Sequence, residues 1–449
     1  MKTDYIVLRA KQPNTRDLFS GAAASWASAY AAARAMPLGD PFGQLYANAM
    51  AAAPGAGATL IRPPVFQPMA VPAFVPAAVQ PELSVEVRSL DRSRAADLSK
   101  MADVVASAPS IPTVLLKEMH DTSSATVATL AQQQVAWGVR AVGADTSRFT
   151  GKGIVVAVLD TGIDRNHPAF AAMNLVEKDF TGEGNGDPLG HGTHCAGTIF
   201  GRAGQTGRIG VAPGIEKALI GKIIGRNGGG DSAMLVKAIE WAVENGANVV
   251  SMSVGFDFTA LEERMEGIFP AKIALSRALE AYRATIGLFE KATALIRAQS
   301  AFGNTTTIFV GAAGNGSDRA TGPDYEVSVN PPANSEGFVS VGAVGFAQGR
   351  TDQVVVADFS NTGPDVCAPG VDIVSARPGG DLVLMSGTSM ATPHVAGVAA
   401  LWAEKLAADN MLGTDLLTAK LIGSASLDHF PADLDKADAG AGMVRAPQA

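Results

Sequence analysis

Three short segments of this chain carry the residue types of nucleophilic catalysis. The first, Val158-Leu159-Asp160-Thr161-Gly162-Ile163-Asp164, ends an apolar run on an acid. A carboxylate closing a buried strand is costly unless it is paired, and an imidazole N–H is a suitable partner. The second, Gly190-His191-Gly192-Thr193-His194-Cys195-Ala196-Gly197, sets a histidine between two glycines at the head of a helical run. The third, Ser386-Gly387-Thr388-Ser389-Met390-Ala391-Thr392-Pro393-His394, puts small residues and hydroxyls ahead of an apolar helix from Val395 to Ala407. Pro393 is expected close to the first turn, where its missing N–H costs least. Ser389 then sits at the helix start, where free backbone N–H groups and the dipole favour a developing oxyanion.

Serine is too weakly acidic to attack alone, so a base must take its proton. An imidazole does so, and a buried carboxylate holds its tautomer and steadies the imidazolium. Asp160, His191 and Ser389 are therefore the expected catalytic set. A fourth segment, Gly311-Ala312-Ala313-Gly314-Asn315-Gly316, follows an apolar strand and offers the Asn315 amide as an oxyanion donor beside the Ser389 N–H. Rival residues have plainer roles. Asp164 reads as a turn acid, His194 as a local hydrogen-bonding group, His167 as a loop residue before Pro168, and His394 as a packed helix residue. Cys195, four residues after His191, falls on the same helix face and reads as a small buried hydrophobe bordering the imidazole. Two cysteines cannot build a disulfide framework, and a bridge between Cys195 and Cys367 is not favoured.

The elements that must position these groups follow from the apolar pattern. Ile154 to Leu159, Ala218 to Ile224, Val249 to Val254, Ile308 to Ala313 and Val339 to Val344 are continuous apolar runs, as in parallel strands buried on both faces. Helical segments such as Ser232 to Glu244 lie between them. The alternation predicts an α/β fold with a doubly wound, mostly parallel sheet flanked by helices, in which sites collect beyond the carboxyl ends of the strands. Residues 82–130 read as a small α/β unit: a strand at Leu83 to Val87, a helix from Arg94 to Ala106, and a strand at Val114-Leu115-Leu116. Residues 1–81 read as a first strand plus an Ala- and Pro-rich linker, and residues 131–449 as the main domain. The polar stretch 119–134 is a suitable place to cut the chain.

Composition excludes some functions. The 449 residues hold 35 Lys plus Arg against 43 Asp plus Glu, a formal charge of −8, which argues against a nucleic-acid partner. No run of eighteen apolar residues predicts a membrane span. The only export candidate, residues 18–33, is weak and sits late. The sequence therefore leaves the cytoplasm, a non-standard export route and secretion all open.

The four motifs together resemble the subtilisin-like serine peptidases. The match is Asp160 in VLDTGID, His191 in GHGTHCAGT, Asn315 in AAGNG and Ser389 in GTSMATPHVAG, in family order, over about residues 135–449. The resemblance implies a serine endopeptidase acting through an acyl-enzyme, with a peptide or protein substrate and no cofactor for the chemistry. It implies a substrate groove edged by Gly228, Gly229 and Gly230 on one side and Ser253, Val254 and Gly255 on the other. Ala312, Ala313 and Gly314 would form one wall of the main pocket. With no acid at the base of that pocket, an apolar or broad preference is expected. The resemblance also implies that the small N-terminal unit is a propeptide that inhibits until cut off, making the chain a self-processed zymogen. A peptide ligase or macrocyclase, and a peptide-binding pseudoprotease, are the alternatives. An esterase using Ser389, Asp428 and His429 is remote, because Ala391 replaces the glycine its nucleophile turn wants.

Two departures stand out. Many relatives bind calcium in a loop after the histidine helix, but the matching stretch Gly201–Gly210 has no carboxylate and two arginines. A hard cation wants several oxygens, so no metal is assigned there, and Asp179, Glu183 and Asp187 are the remaining candidates for an ion. The chain also carries about fifty residues, 257–302, where relatives have one moderate helix. Leu275, Leu279, Tyr282, Ile286, Phe289 and Ile296 follow a break at Pro270 with helical spacing. This predicts a long helix that covers the body or contacts a partner, a second copy or the N-terminal region.

Overall fold

The computed structural model describes residues 2–10, 83–116, 119–121, 134–203, 207–301 and 305–448. The export candidate, the Ala- and Pro-rich linker and most of the polar stretch expected as a cut site lie outside those residues.

The chain opens with strand β1 (Thr3–Ala10). It continues, after the linker, with β2 (Leu83–Leu90), helix α1 (Arg92–Leu98) and β3 (Val104–Pro109). β1 is the central strand of a three-stranded antiparallel sheet in the order β2-β1-β3. The first strand therefore pairs with the small α/β unit. The helix expected from Arg94 to Ala106 stops at Leu98, and Val104 opens β3. Its β-branched Val104-Val105 pair suits a pleated strand better than a helix interior.

Two short strands follow, β4 (Pro112–Leu115) and β5 (Met119–Asp121). After α2 (Trp137–Ala141) the main domain begins. Its parallel strands are β6 (Val155–Asp160), β7 (Asn174–Asp179), β8 (Lys217–Lys222), β10 (Val249–Met252), β12 (Ile308–Ala312), β13 (Phe338–Phe346) and β15 (Val366–Pro369). With antiparallel β14 (Val354–Val356) they form a sheet in the order β14-β13-β12-β10-β6-β8-β7, with β15 also on β13. Helix α3 (His191–Phe200) follows β7, and α4 (Ser232–Glu244) follows the short strand β9 (Gly229–Asp231). Short strand β11 (Val254–Phe256) leads to two further helices, α5 (Phe258–Glu266) and α6 (Ala271–Ala301). Hairpin β16 (Ile373–Ala376) and β17 (Leu382–Ser386) precedes α7 (Thr388–Ala408). The last long helix is α8 (Thr414–Gly423).

Alternation along β6 explains the continuous apolar run. Val156 and Val158 face one core with Ala196 and Ile199 of α3 and Val395 and Ala399 of α7. Ala157 and Leu159 face the other with Leu235 and Ile239 of α4 and Leu288 and Phe289 of α6. Both faces are covered, as an all-parallel sheet requires. No helix among the described residues is long and apolar enough to cross a membrane.

The long insertion is a helical hairpin broken before Ala271. At 31 residues α6 spans about 46 Å. It contacts the N-terminal sheet: Ile6, Ala108 and Ile111 share an apolar cluster with Ala281 and Leu288 of α6 and Val236 of α4. Lys291 Nζ donates to the Val105 carbonyl at 3.1 Å, and Arg92 pairs with Glu280 at 2.8 Å. The free edge of β2 is met by α4, where Val85 N–H donates to Glu240 at 3.0 Å.

Candidate active site

Asp160 is the last residue of β6 and His191 the first of α3. Two glycines make their approach feasible. Gly190 has φ 88°, a left-handed conformation that few side chains adopt. A Cβ at Gly192 would collide with the Gly162 carbonyl oxygen and lie 3.2 Å from Asp160 Cβ. The chain thus lets α3 close on the end of β6, and Asp160 Oδ1 lies 2.6 Å from His191 Nδ1. Both side chains are 1 % exposed. Asp160 Oδ1 also accepts the Thr161 N–H at 2.7 Å. With Nδ1 committed to Asp160, Nε2 is the imidazole atom that can take a proton.

Ser389 is the second residue of α7 and wholly buried, and its hydroxyl has no hydrogen-bond partner among the described residues. Pro393 does not sit in the first turn as expected; it lies inside α7, four residues after Ser389. Having no N–H, it leaves the Ser389 carbonyl without its helical donor. The Ser253 hydroxyl donates to that carbonyl at 3.1 Å and the Cys195 thiol at 3.4 Å. This replacement lets a proline occupy the second turn without orphaning a buried carbonyl.

Asn315 follows β12 and is held by its carbonyl oxygen. Thr388 N–H and Thr388 Oγ1–H both donate to Asn315 Oδ1, each at 2.8 Å. Thr388 Oγ1 in turn accepts the Gly314 N–H at 3.1 Å. These two Thr388 donors fix the Asn315 side chain by its oxygen.

The two edges expected to bind substrate pair with a strand of the chain itself. β4 is the middle strand between β9 and β11, antiparallel to both. Thr113 faces Gly230 and Val114 faces Gly229; on the other side Val114 pairs with Gly255 and Leu115 with Val254. Leu115 N–H donates to the Gly228 carbonyl at 3.2 Å. That register brings the next residue, Leu116, opposite Ser253. A Cβ at Gly255 would sit 2.7 Å from Leu116 Cδ2 and 3.7 Å from Asn330 Nδ2, and one at Gly314 would sit 2.8 Å from Asn330 Nδ2. Gly255 therefore abuts the leucine side chain, with Asn330 next to both Gly255 and Gly314. Ala312 and Ala313 are buried, and the Ala313 carbonyl accepts the Asn330 N–H at 2.8 Å.

A model of the subtilase family matches residues 151–441. The chain belongs to the subtilase family. An intracellular serine protease of Paenibacillus polymyxa is 34 % identical over 259 residues, which is 56 % of this chain and 67 % of that protein. A thermostable alkaline protease of Halalkalibacterium halodurans is 35 % identical over 274 residues, covering 60 % of this chain and 63 % of the relative, just under two thirds of its length. Subtilisin DY of Bacillus licheniformis is 31 % identical over 276 residues, covering 60 % and 84 %.

The remaining candidates of this subtilase take structural places. His194 Nε2 pairs with the Ile373 carbonyl at 2.9 Å. His167 caps a short turn and pairs with the Asp381 carbonyl at 2.9 Å. His394 is fully buried and hydrogen-bonds the Met390 carbonyl at 2.8 Å; burial pushes its pKa down to about 4. Asp164 Oδ1 accepts the Asn166 N–H. Asp428 and His429 are exposed and form no buried set with Ser389. Asp231 caps α4 by accepting the Met234 N–H at 2.8 Å. Both cysteines are free thiols, and burial pushes Cys367 up to about 12.

The three acids set aside for an ion are engaged by the protein. Asp179 accepts from Thr181 and Gly184, and Glu183 from the Arg226 N–H, with Lys222 Nζ at 3.4 Å. Asp187 Oδ1 accepts from Thr161 Oγ1 and the Gly190 N–H, and Oδ2 from the N–H and hydroxyl of Thr193. It ties the end of β6 to the start of α3 around the Asp160–His191 pair. In the loop after α3, the Arg208 guanidinium donates to the carbonyls of Ala144, Gly210 and Val211, so these oxygens already face a cation of the protein's own. Asp160, His191 and Cys195 offer ligand atoms within 4.8 Å of one another, but an ion there would break the Asp160–His191 hydrogen bond.

Sequence reasoning missed Thr388, Asn330, the second role of Ser253 and the tie that Asp187 makes between β6 and α3. Thr388 and Asp187 each lie within a few residues of a triad member and carry a side chain that can bond backbone N–H groups, which is the signal that was available.

Proposed function

We propose that this subtilase is a serine endopeptidase made as a zymogen, and that it cuts its own chain between Leu116 and Lys117. The observation that carries the reading is β4, seated as a substrate strand between β9 and β11 with the Leu116 side chain in the pocket at Gly255. Backbone pairing binds an extended peptide whatever its sequence, and the pocket selects the side chain.

In this reading Ser389 Oγ attacks the Leu116 carbonyl carbon while His191 Nε2 takes the hydroxyl proton. Asp160 holds the imidazole and stabilises its cation. The Asn315 amide and the Ser389 N–H receive the oxyanion. His191 then gives its proton to the Lys117 nitrogen, the peptide bond breaks, and Leu116 remains as an acyl ester on Ser389. Water, deprotonated by the same histidine, releases it. Residues 2–10 and 83–116 would then be a separate inhibitory domain, held by α4, α6 and the groove. Large aliphatic residues are the expected side chains ahead of the cut bond in other substrates.

The test is the intact mass of purified wild type and Ser389→Ala followed over time. Wild type should lose residues 1–116 and Ser389→Ala should not. Two full-length proteins, neither labelled by a fluorophosphonate at Ser389, would overturn the reading. A cut elsewhere would overturn its register.

A further inference from the structure

The turn that presents Asn315 has little stiffness of its own. Glycine flanks Asn315 on both sides, and Gly314 has φ 112°, a conformation that side chains rarely adopt. So permissive a segment keeps one shape only where its surroundings impose it. Thr388 grips the Asn315 side-chain oxygen. The backbone on either side is gripped by one further residue, Asn361, in the loop between β14 and β15. Asn361 is wholly buried. Its N–H donates to the Gly314 carbonyl at 3.0 Å. Its Nδ2 donates to the Ala313 carbonyl at 3.1 Å and to the Ser328 carbonyl at 3.0 Å, and its Oδ1 accepts the Gly316 N–H at 2.8 Å. The oxygen end faces a donor and the nitrogen end two acceptors, so the partners fix which way the amide points. The approach is close: a Cβ at Gly314 would stand 2.4 Å from Asn361 Nδ2. The turn ahead of Asn361 is braced in its own right by Arg319, whose guanidinium donates to the Ala357 and Ser360 carbonyls.

We propose that Asn361 is a positioning residue for the reaction: by holding the backbone of Ala313, Gly314 and Gly316 it aims the Asn315 amide at the developing oxyanion. The proposal rests on the reading of Asn315 as an oxyanion donor. Asn361 does not touch the reacting atoms and acts only through that turn. Its side chain suits the place because it offers one acceptor and two donors at once, and all three are engaged. An aspartate would set a charge against the Ala313 and Ser328 carbonyls. A serine or an alanine would leave buried backbone groups without a partner. The geometry matters because a donor serves an oxyanion only at hydrogen-bond distance, and a misplacement of about 1 Å can cost about 10²-fold in rate.

A double-mutant cycle tests this. Peptide hydrolysis is measured for wild type, Asn361→Ala, Asn315→Ala and the double variant, with active sites counted by fluorophosphonate labelling taken to completion. Asn361→Ala should lower kcat per active site by about 10- to 100-fold and change KM by less than about threefold. The double variant should match Asn315→Ala within about twofold, because no amide is left to aim. A residue that only supports the fold gives a different pattern. It would lower the urea midpoint and the number of active sites while leaving kcat per site unchanged, or it would lower kcat by the same factor with and without Asn315. Either result overturns the proposal and leaves the peptidase reading intact. An unchanged kcat in Asn315→Ala would instead remove the oxyanion reading, and this proposal with it. If Asn361→Ala does not fold, Asn361→Ser, which keeps a hydroxyl at that place, is taken through the same cycle and judged by the same outcomes.

Discussion

Gly255 offers a test of the pocket that the geometry can size in advance. A methyl group there would stand 2.7 Å from Leu116 Cδ2, against the 3.5–4.0 Å at which carbon atoms normally meet. The Asn330 amide, 3.7 Å away, is at ordinary contact distance and does not have to move. Gly255→Ala therefore asks the leucine side chain to withdraw by about 1 Å or to leave its rotamer. Overpacking of that size costs about 1–3 kcal/mol, which is roughly 5- to 150-fold in kcat/KM. A substrate with alanine before the cut bond has no Cδ and should change by less than about twofold. The assay is kcat/KM for paired peptides ending Thr-Val-Leu-Leu and Thr-Val-Leu-Ala before that bond. Self-cleavage should slow by the same factor as the leucine peptide, and adding Leu116→Ala in the same chain should relieve the slowing. An equal loss for both peptides would mean that the substitution damages the groove strand, and the assignment of this pocket would fall.

Other outcomes follow from the same geometry. Asn315→Ala should lower kcat by about 10²–10³, the size of effect that this asparagine has in a subtilisin, and Thr388→Val should lower kcat by a smaller factor with KM little changed; an unchanged kcat in either would remove the oxyanion role. A bulky thiol reagent that reaches Cys195, 3.9 Å from His191 Nδ1, should inactivate the mature enzyme. Cys195→Ser should survive the same treatment, and its inactivation would refute the contact. Buried His394 is held neutral, with a pKa of about 4 against the usual 6.5, so below pH 6.5 the unfolded chain binds the proton first. Stability should fall as pH drops from 6.5 towards 4, by up to about 3 kcal/mol from this group, and His394→Gln should flatten the slope in urea unfolding. Identical slopes would show that other groups dominate.

Asp160, His191 and Ser389 stand out in the sequence because each sits where local sequence marks an element boundary. Asp160 ends a run buried on both faces, His191 follows a glycine that must be left-handed, and Ser389 opens an apolar helix. The Cys195 contact was legible too, since four residues along a helix return to the same face. Pairings across long stretches of chain were not. Nothing local says that Thr3–Ala10 belongs between Leu83–Leu90 and Val104–Pro109, because register is a property of two strands together. Asp187 reads as one more loop acid until the turn folds and aims five donors at its two oxygens. The polar stretch after residue 118 looked like the place to cut because polarity marks exposure. The cut proposed here at Leu116–Lys117 rests instead on backbone register and one pocket, which no local stretch of sequence displays.

The start of α7 shows why so much of the site depends on one turn. Proline at position 393 removes a helix hydrogen bond and frees the Ser389 carbonyl, which draws in Ser253 from the groove edge and Cys195 from the histidine helix. Thr388, one residue earlier, fixes Asn315 from β12. Ser386, two residues before that, pairs with Met119 of β5. In the proposed function, nucleophile, oxyanion donor and groove edge are thus referred to a single strand-to-helix junction. A small displacement of that junction would shift all of them together, preserving their mutual distances. Substitutions that tilt α7 as a body should therefore be tolerated better than ones that cut a single tie, such as the Thr388–Asn315 bond, because only the latter change the geometry between groups that act on the same carbonyl.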